Sequence, residues 1–325
     1  MYIETAQKFE TQRNPYVQNF EARLFQIQNN KEKFDRILNQ VLGKEFRWLI
    51  EQDDQGRFYI KCVQDEIIHS SEGIGDGIWS VFTICAALYD AAPHSVIVID
   101  EPELSVHPAL QKRIMKLLVE YSKEMQIIVS THSPYFVNWD AIANYGAHLV
   151  RVVKEGTDTK CFEITQITRD KFKGLLNDLH NPHVLGLEAN EALFLEDNII
   201  LVEGQEDVVI LTRLANELGI KLKGEFFGWG VGGASKMQSF MALFSELGYK
   251  HVVALLDGDK KQEAEGIQRL FPNYKVIVLS TDDIRDKVSR TISAKNGIVG
   301  NNGQLKSEYR NYAEELLKKV NEGMS

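Results

Sequence analysis

Apolar and polar positions along the chain change period several times, and each change marks an element. Residues 1 to about 45 carry a helical pattern in which Phe20, Leu24, Ile27, Phe34, Ile37, Leu38 and Val41 fall largely on one face, with Gly43 as a stop. FRWLIEQ and RFYIKCV read as two strands about a DDQG turn, and SSEGIGDG leads into an apolar helix from about Ile78 to Tyr89. SVIVID, ALQKRIMKLLVEYSKE and QIIVSTHSP follow as strand, crossover helix and strand, the two strands being apolar runs of the buried parallel kind. HLVRVVKE and CFEITQI suggest two more strands. A more helical stretch from about 167 to 196 connects to a second alternating series: NIILV, DVVILTRLANELG, EFFGWGV, KMQSFMALFSELG, HVVALLD, KKQEAEGIQRLF and KVIVLS. That order predicts an α/β fold with a mostly parallel sheet flanked by helices. The expected division is 1–166, a helical connection at 167–196, and 197–325.

Composition narrows the picture only slightly. With 325 residues the chain has room for two cores. A net charge of -9 supplies no bulk attraction for nucleic acid, although a local basic patch or bound cations would. Cys62, Cys85 and Cys161 form no C-x-x-C pair, so neither a disulfide framework nor a zinc site is indicated, as expected of a reduced, cytoplasmic protein. The first twenty residues are polar, without a signal pattern, and the longest apolar run, 77–93, contains Asp90 and is too short to span a bilayer. No membrane partner is expected.

Two constellations carry chemistry. In the first, Asp100 ends a hydrophobic strand and Glu101 follows it, an arrangement able to hold a magnesium ion and orient an attacking water in phosphoryl transfer. His132 ends the next strand, where it could sense a γ-phosphate, and Gly75-Asp76-Gly77 opens a helix whose amides suit an anion. In the second, NIILVEGQED places Glu203 at a strand end and Asp207 four residues on, with Gly204 allowing close backbone approach. Asp257 and Asp259 in HVVALLDGD alternate at another strand end and are expected to point to one side, with Gly258 keeping the gap open. Four carboxylates converging on one sheet edge would repel one another without hard cations, and magnesium or manganese prefer such oxygen ligands. The predicted chemistry is metal-assisted attack on a phosphodiester.

These motifs carry a family resemblance. Asp100 and Glu101 resemble the Walker B pair of an ABC-type ATPase, His132 its switch histidine, and Gly75-Asp76-Gly77 a degenerate signature motif; EPELSVHP resembles the EPE-x-x-x-HP form found in ATPases of DNA recombination, repair and anti-phage proteins. VEG-x-x-D followed by D-x-D resembles the Toprim domain, and the order ABC-type ATPase then Toprim resembles the OLD (overcoming lysogenization defect) nucleases over about 70–290. The resemblance implies a DNA endonuclease or nickase in anti-phage defence or DNA repair, with Glu203, Asp207, Asp257 and Asp259 as metal ligands or bases. It implies DNA as partner, a homo-oligomer formed through the ATPase module, and room for a partner protein. It also implies a charge-stabilising lysine, for which Lys287, Lys295 and Lys306 qualify; Lys295, in a Gly/Asn-rich loop, is favoured. One departure matters: no G-x-x-x-x-G-K-[ST] occurs in the sequence. The expectation is a partial ATPase domain, truncated or completed by another polypeptide, with no autonomous ATP hydrolysis and ATP bound only if the loop comes from absent N-terminal sequence or a partner. The rival reading is a non-catalytic regulatory or assembly subunit.

Other signals have plainer readings. Glu206 reads as a solvated first-turn helix acid, and Asp282, Asp283 and Asp286 as a polar loop that could extend the acidic site. Gly232-Gly233 with Lys236 reads as a tight turn, His107-Pro108 as a turn before a helix, and His180 and His183 as connector residues. Phe226, Phe227 and Trp229 could stack on bases but read as core.

Overall fold

The computed structural model describes residues 2–5, 20–56, 58–64, 67–70, 75–176, 184–195, 197–287, 295–300 and 302–324. His180 and His183 lie outside them. The chain forms two compact units, 1–136 and 137–325.

In the first unit, β1 (Tyr2–Thr5) is followed by α1 (Phe20–Gln28) and α2 (Glu32–Leu42). The expected helical pattern is thus broken at Asn29-Asn30, residues that favour turns. Gly43 ends α2 in the left-handed region, with φ 73°. β2 (Arg47–Gln52), β3 (Phe58–Gln64) and an unforeseen β4 (Ile67–Ser70) form an antiparallel sheet in that order. Next come α3 (Asp76–Asp90), β5 (Val96–Asp100), α4 (Pro108–Tyr121) and β6 (Gln126–Ser130). β5 runs parallel to β6 and antiparallel to β1. Trp48 meets Phe34 and Phe82 edge-on at 5.3 and 5.5 Å in the core, and its indole N–H donates to Asp35 Oδ1 at 2.7 Å. Strands buried on both faces were expected here. Instead Ile97 and Ile99 are fully buried while Val98 and Ile128 stay exposed, because the core of this unit lies on one face of the sheet.

The second unit begins with α5 (Trp139–Asn144), the hairpin β7 (Val150–Glu155) and β8 (Asp158–Glu163), α6 (Gln166–Leu176) and α7 (Leu187–Leu195). Its start lies about thirty residues before the boundary expected at 166/167. Side-chain contacts explain the difference: the Trp139 ring stacks on Phe172 at 5.3 Å, Trp139 Nε1 donates to Asn190 Oδ1 at 2.6 Å, and the Arg151 guanidinium sits 4.0 Å over the Tyr249 ring. These contacts commit residues 137–166 to the second core.

The sheet that follows is wholly parallel. β9 (Asn198–Val202), α8 (Gln205–Leu218), β10 (Glu225–Phe226), α9 (Ala234–Glu246), β11 (His251–Leu256), α10 (Lys261–Leu270) and β12 (Lys275–Val278) alternate along the chain, and the strand order is β10-β9-β11-β12. Strand alternation feeds two cores. Ile199, Leu201, Val252, Ala254 and Leu256 join α9 and α10, whereas Ile200, Val202, Val253 and Leu255 join α8 and α11 (Arg310–Glu322) on the other face. β9 is therefore left in one direction through α8 and passed in the other through α9, so the order reverses between β9 and β11. A crevice opens at the strand carboxyl ends at such a reversal. A short parallel pair, β13 (Asp283–Arg285) with β14 (Gly297–Val299), stands where the sequence suggests a polar loop, and α11 has no counterpart among the expected elements.

Candidate active site

Glu203 follows β9 directly and is the residue on which three loops meet. Its Oε1 accepts from the Asp257 backbone N–H at 2.9 Å, and its Oε2 from that of Ala234 at 3.2 Å. Its carbonyl oxygen accepts from Gly232 N and Gly233 N, each at 2.9 Å. The glycine-rich turn is thereby wrapped round Glu203, the structural role read for Gly232-Gly233. Gly230 must be glycine: φ is +93°, and a Cβ there would lie 2.6 Å from Gly204 Cα. Asp207, in the first turn of α8, accepts from Gly204 N at 2.8 Å, closing that helix start with an acid where the dipole favours one.

Asp257 and Asp259 do not alternate along a strand as expected. β11 ends at Leu256, and Gly258–Lys260 forms a single 3₁₀ turn. Gly258 donates to Thr281 O at 3.0 Å and lies so near it that a Cβ would fall 2.2 Å from that oxygen. The turn leaves Asp257 with Glu203 and sends Asp259 to Lys295, at 2.8 Å, and Lys260, at 3.5 Å.

The acids feel one another strongly. Burial pushes Asp257 up to about 8, with the charges of Asp283, Glu203 and Asp207 adding and Lys295 opposing. Burial likewise lifts Asp207 to about 6, with Glu203 and Asp283 adding to it. Burial also acts on Asp259, but the Lys295 hydrogen bond and charge outweigh it and hold that carboxyl below its ordinary value.

Asp283 is the residue whose place the sequence left open. It is 2% exposed, with Lys287 Nζ at 2.5 Å and Lys295 Nζ at 3.9 Å. Lys287 and Lys295 exchange backbone hydrogen bonds, which brings both ammoniums to it. The Asp259 hydrogen bond raises the Lys295 pKa; burial opposes the Lys287 ammonium, but Asp283 more than offsets it. Lys306, the third candidate, pairs instead with Asp286 and Asn296, both at 2.8 Å. Glu206 is a half-exposed acid in the first turn of α8, as the sequence suggests, and it also pairs with Arg285 at 2.6 Å and Lys287 at 3.6 Å. Of the aromatic trio, Phe227 is buried core whereas Trp229 is 37% exposed.

The donor set suits a hard divalent cation, which would relieve the mutual repulsion that lifts Asp257 and Asp207. The arrangement is not a closed nest: among the described residues no three His, Cys, Asp or Glu side chains converge on one ion position. Backbone amides hold Glu203, Gly204 holds Asp207, and lysines occupy Asp259 and Asp283.

In the first unit, Asp100 ends β5 in register with Ser130, and Glu101 donates its N–H to Ser130 O at 2.8 Å with a left-handed φ of 50°. His132 Nε2 lies 3.8 Å from Glu101 Oε1, its side chain 86% exposed. Glu103, the second acid of EPE and one with no role evident from the sequence pattern, clamps the loop after β6: its Oε1 accepts from His132 N at 2.6 Å and its Oε2 from Thr131 Oγ1 at 2.7 Å. Gly75 caps α3 and Asp76 sits in its first turn. A Cβ on Gly77 would lie 2.3 Å from Ser105 O, so the start of α3 abuts the turn after β5. His107 caps α4, accepting from Ala109 N at 3.2 Å, the turn role read for it.

Residues 9–138 match the family described as "AAA domain, putative AbiEii toxin, Type IV TA system", and residues 194–259 match "Overcoming lysogenization defect protein-like, TOPRIM domain". An OLD nuclease of Thermus scotoductus is 32% identical over 130 residues, 38% of this chain and 23% of that protein. The Old nuclease of Escherichia phage P2 is 29% identical over 38% of this chain and 21% of its own length. Endonuclease GajA of Bacillus cereus is 22% identical over 68% of this chain and 37% of its own. The chain thus spans well under half the length of the curated relatives it matches.

Proposed function

Because the chain belongs to the OLD family, we propose that its second unit is a metal-dependent DNA endonuclease or nickase. The observation that carries this reading is the Glu203 carboxylate, tied to the amides of Asp257 and Ala234 at the point where the sheet order reverses. Glu203, Asp207 and Asp257, with Asp259 once Lys295 turns to substrate, would hold magnesium or manganese. The metal would supply an activated water and charge neutralisation at the phosphate. The Asp207 charge adds to the burial that raises the proton affinity of Asp257, so Asp257 is suited to accept the proton of the attacking water. Lys295 would stabilise negative charge on the phosphate as the phosphorus–oxygen ester bond breaks.

The first unit is proposed as a regulatory ATPase module that assembles the protein as a homo-oligomer, with Asp100, Glu101 and His132 facing nucleotide beside Gly75, Asp76 and Gly77. Lacking a phosphate loop, this chain alone should turn over no ATP; turnover sensitive to Glu101→Gln would contradict that. Defence against phage or DNA repair is the proposed setting. A second reading, a non-catalytic assembly subunit, draws on the lysine and backbone partners that already satisfy the acids. Supercoiled plasmid with magnesium or manganese separates the two: the nuclease reading expects nicking by the wild type and none by Glu203→Ala or Asp257→Ala. Equal cutting by the folded variants, or no cutting by a folded, metal-binding wild type, would favour the assembly subunit.

A further inference from the structure

The turn 228–233 has a feature that the acid site does not use. Trp229 stands between two glycines in the left-handed region, Gly228 at φ +57° and Gly230 at φ +93°. Both are pinned. A Cβ on Gly228 would meet Ala189 Cβ at 3.2 Å, and one on Gly230 would meet Gly204 Cα at 2.6 Å. Immediately after, Val231 N donates to Val202 O, and Gly232 N and Gly233 N donate to Glu203 O. Consecutive Cα atoms are about 3.8 Å apart, so the Trp229 backbone lies within roughly 8 Å of Gly204. The neighbouring Phe227 takes the core position at 1% exposed, yet Trp229 keeps 37% of its surface in solvent. A large, partly exposed ring is thus carried on the same turn that wraps Glu203, its backbone fixed by the glycine on either side.

We propose that Trp229 is a stacking platform for an unpaired DNA base next to the scissile phosphate. This rests on reading the acid site as a phosphodiester site, and names how the strand is gripped. The chemistry suits the setting: with a net charge of -9 and carboxylates around the phosphate, base stacking supplies attraction that bulk charge does not. Stacking is tolerant of sequence, because every base has a π-face.

The test uses the full chain, a fluorescein-labelled oligothymidine, an abasic oligomer of equal length and the matching duplex, in EDTA so that cleavage does not intervene. Trp229→Ala should weaken oligothymidine binding by about 5- to 100-fold, and Trp229→Phe, which keeps a ring, by less than about 5-fold. Neither should change binding of the abasic oligomer, and the single strand should bind more tightly than the duplex. Oligothymidine should quench tryptophan fluorescence of the wild type, and the quench should shrink in Trp229→Phe. The proposal is overturned if folded Trp229→Ala binds oligothymidine within twofold of wild type, if wild type does not distinguish thymidine from abasic sites, or if the duplex binds more tightly. A wild type that shows this Trp229-dependent binding but never nicks plasmid would keep the platform and remove the nuclease reading.

Discussion

Both units end a hydrophobic strand in acids, yet they treat them oppositely. In the first, Glu101 and His132 face solvent and meet only at 3.8 Å, and Asp100 borders a sheet whose other face leaves Val98 and Ile128 exposed. In the second, the acids lie at the reversal of a sheet covered on both faces, and burial with mutual repulsion drives Asp257 up to about 8. Similar sequence patterns therefore give one open half-site and one charged cluster held under electrostatic tension. The difference arises from what covers the strands, since low polarity magnifies the interaction between charges.

The largest contrast should come from removing the acids themselves. Glu203→Ala should lower plasmid nicking by at least about 10³-fold, because it removes a proposed ligand and unties Asp257 and Ala234 together. Glu101→Gln, measured in the same assay without nucleotide, should change it by less than about twofold; a large loss there would mean that the open site takes part in cleavage. Lysines give the next contrast. Lys295→Ala should cost about 10²-fold in nicking rate, whereas Lys306→Ala, whose partners are Asp286 and Asn296, should cost little. If Lys306→Ala is the more damaging, the charge-stabilising role belongs to it.

Two backbone contacts compare the units directly. Gly258→Ala and Gly77→Ala each force a Cβ against a carbonyl oxygen, at 2.2 and 2.3 Å, and each should destabilise its own unit by about 1–3 kcal/mol in denaturant titrations. Only Gly258→Ala should also depress nicking in the folded protein. The smallest effect is one of pH. Asp257 and Asp207 have folded values raised above ordinary carboxylates, so the folded state holds protons that the unfolded state has released. Without metal, stability should therefore fall as pH rises from about 4 toward 8 and level off above that. Asp257→Asn should raise the melting temperature at pH 8 in EDTA by a few degrees and lose that advantage near pH 4. A variant that melts lower at pH 8 would show that the carboxylate is held by stabilising partners.

Much of the second unit was legible in the chain. Its strands are short uninterrupted apolar runs, its helices periodic, and Glu203 and Asp257 stand where such runs stop, because a strand end must deliver its next residue to the sheet edge, while Asp207 follows in the first turn of the next helix. The first unit's Asp100 and Glu101 were visible for the same reason. What the sequence could not show depends on pairing between distant residues. The boundary at 136/137 follows from Trp139 finding Phe172 and Asn190, and the hairpin finding Tyr249. Asp283 looks like loop until the hydrogen bonds between Lys287 and Lys295 gather two ammoniums about it.

Sequence alone determined the element order, the acids at the strand ends and the absence of a G-x-x-x-x-G-K-[ST] motif, since all are local in period, spacing or residue type, whereas the glycine that the site requires, Gly230, emerged only from its approach to Gly204. Tertiary structure decided that Asp259 turns to a lysine while Asp257 turns to Glu203, that Lys295 and Lys287 reach the cluster and Lys306 does not, and that Phe227 is core while Trp229 stands in solvent. Those outcomes depend on burial and on charges brought together by the parallel sheet and the β13–β14 pair. Neither quantity is carried by any one stretch of the chain.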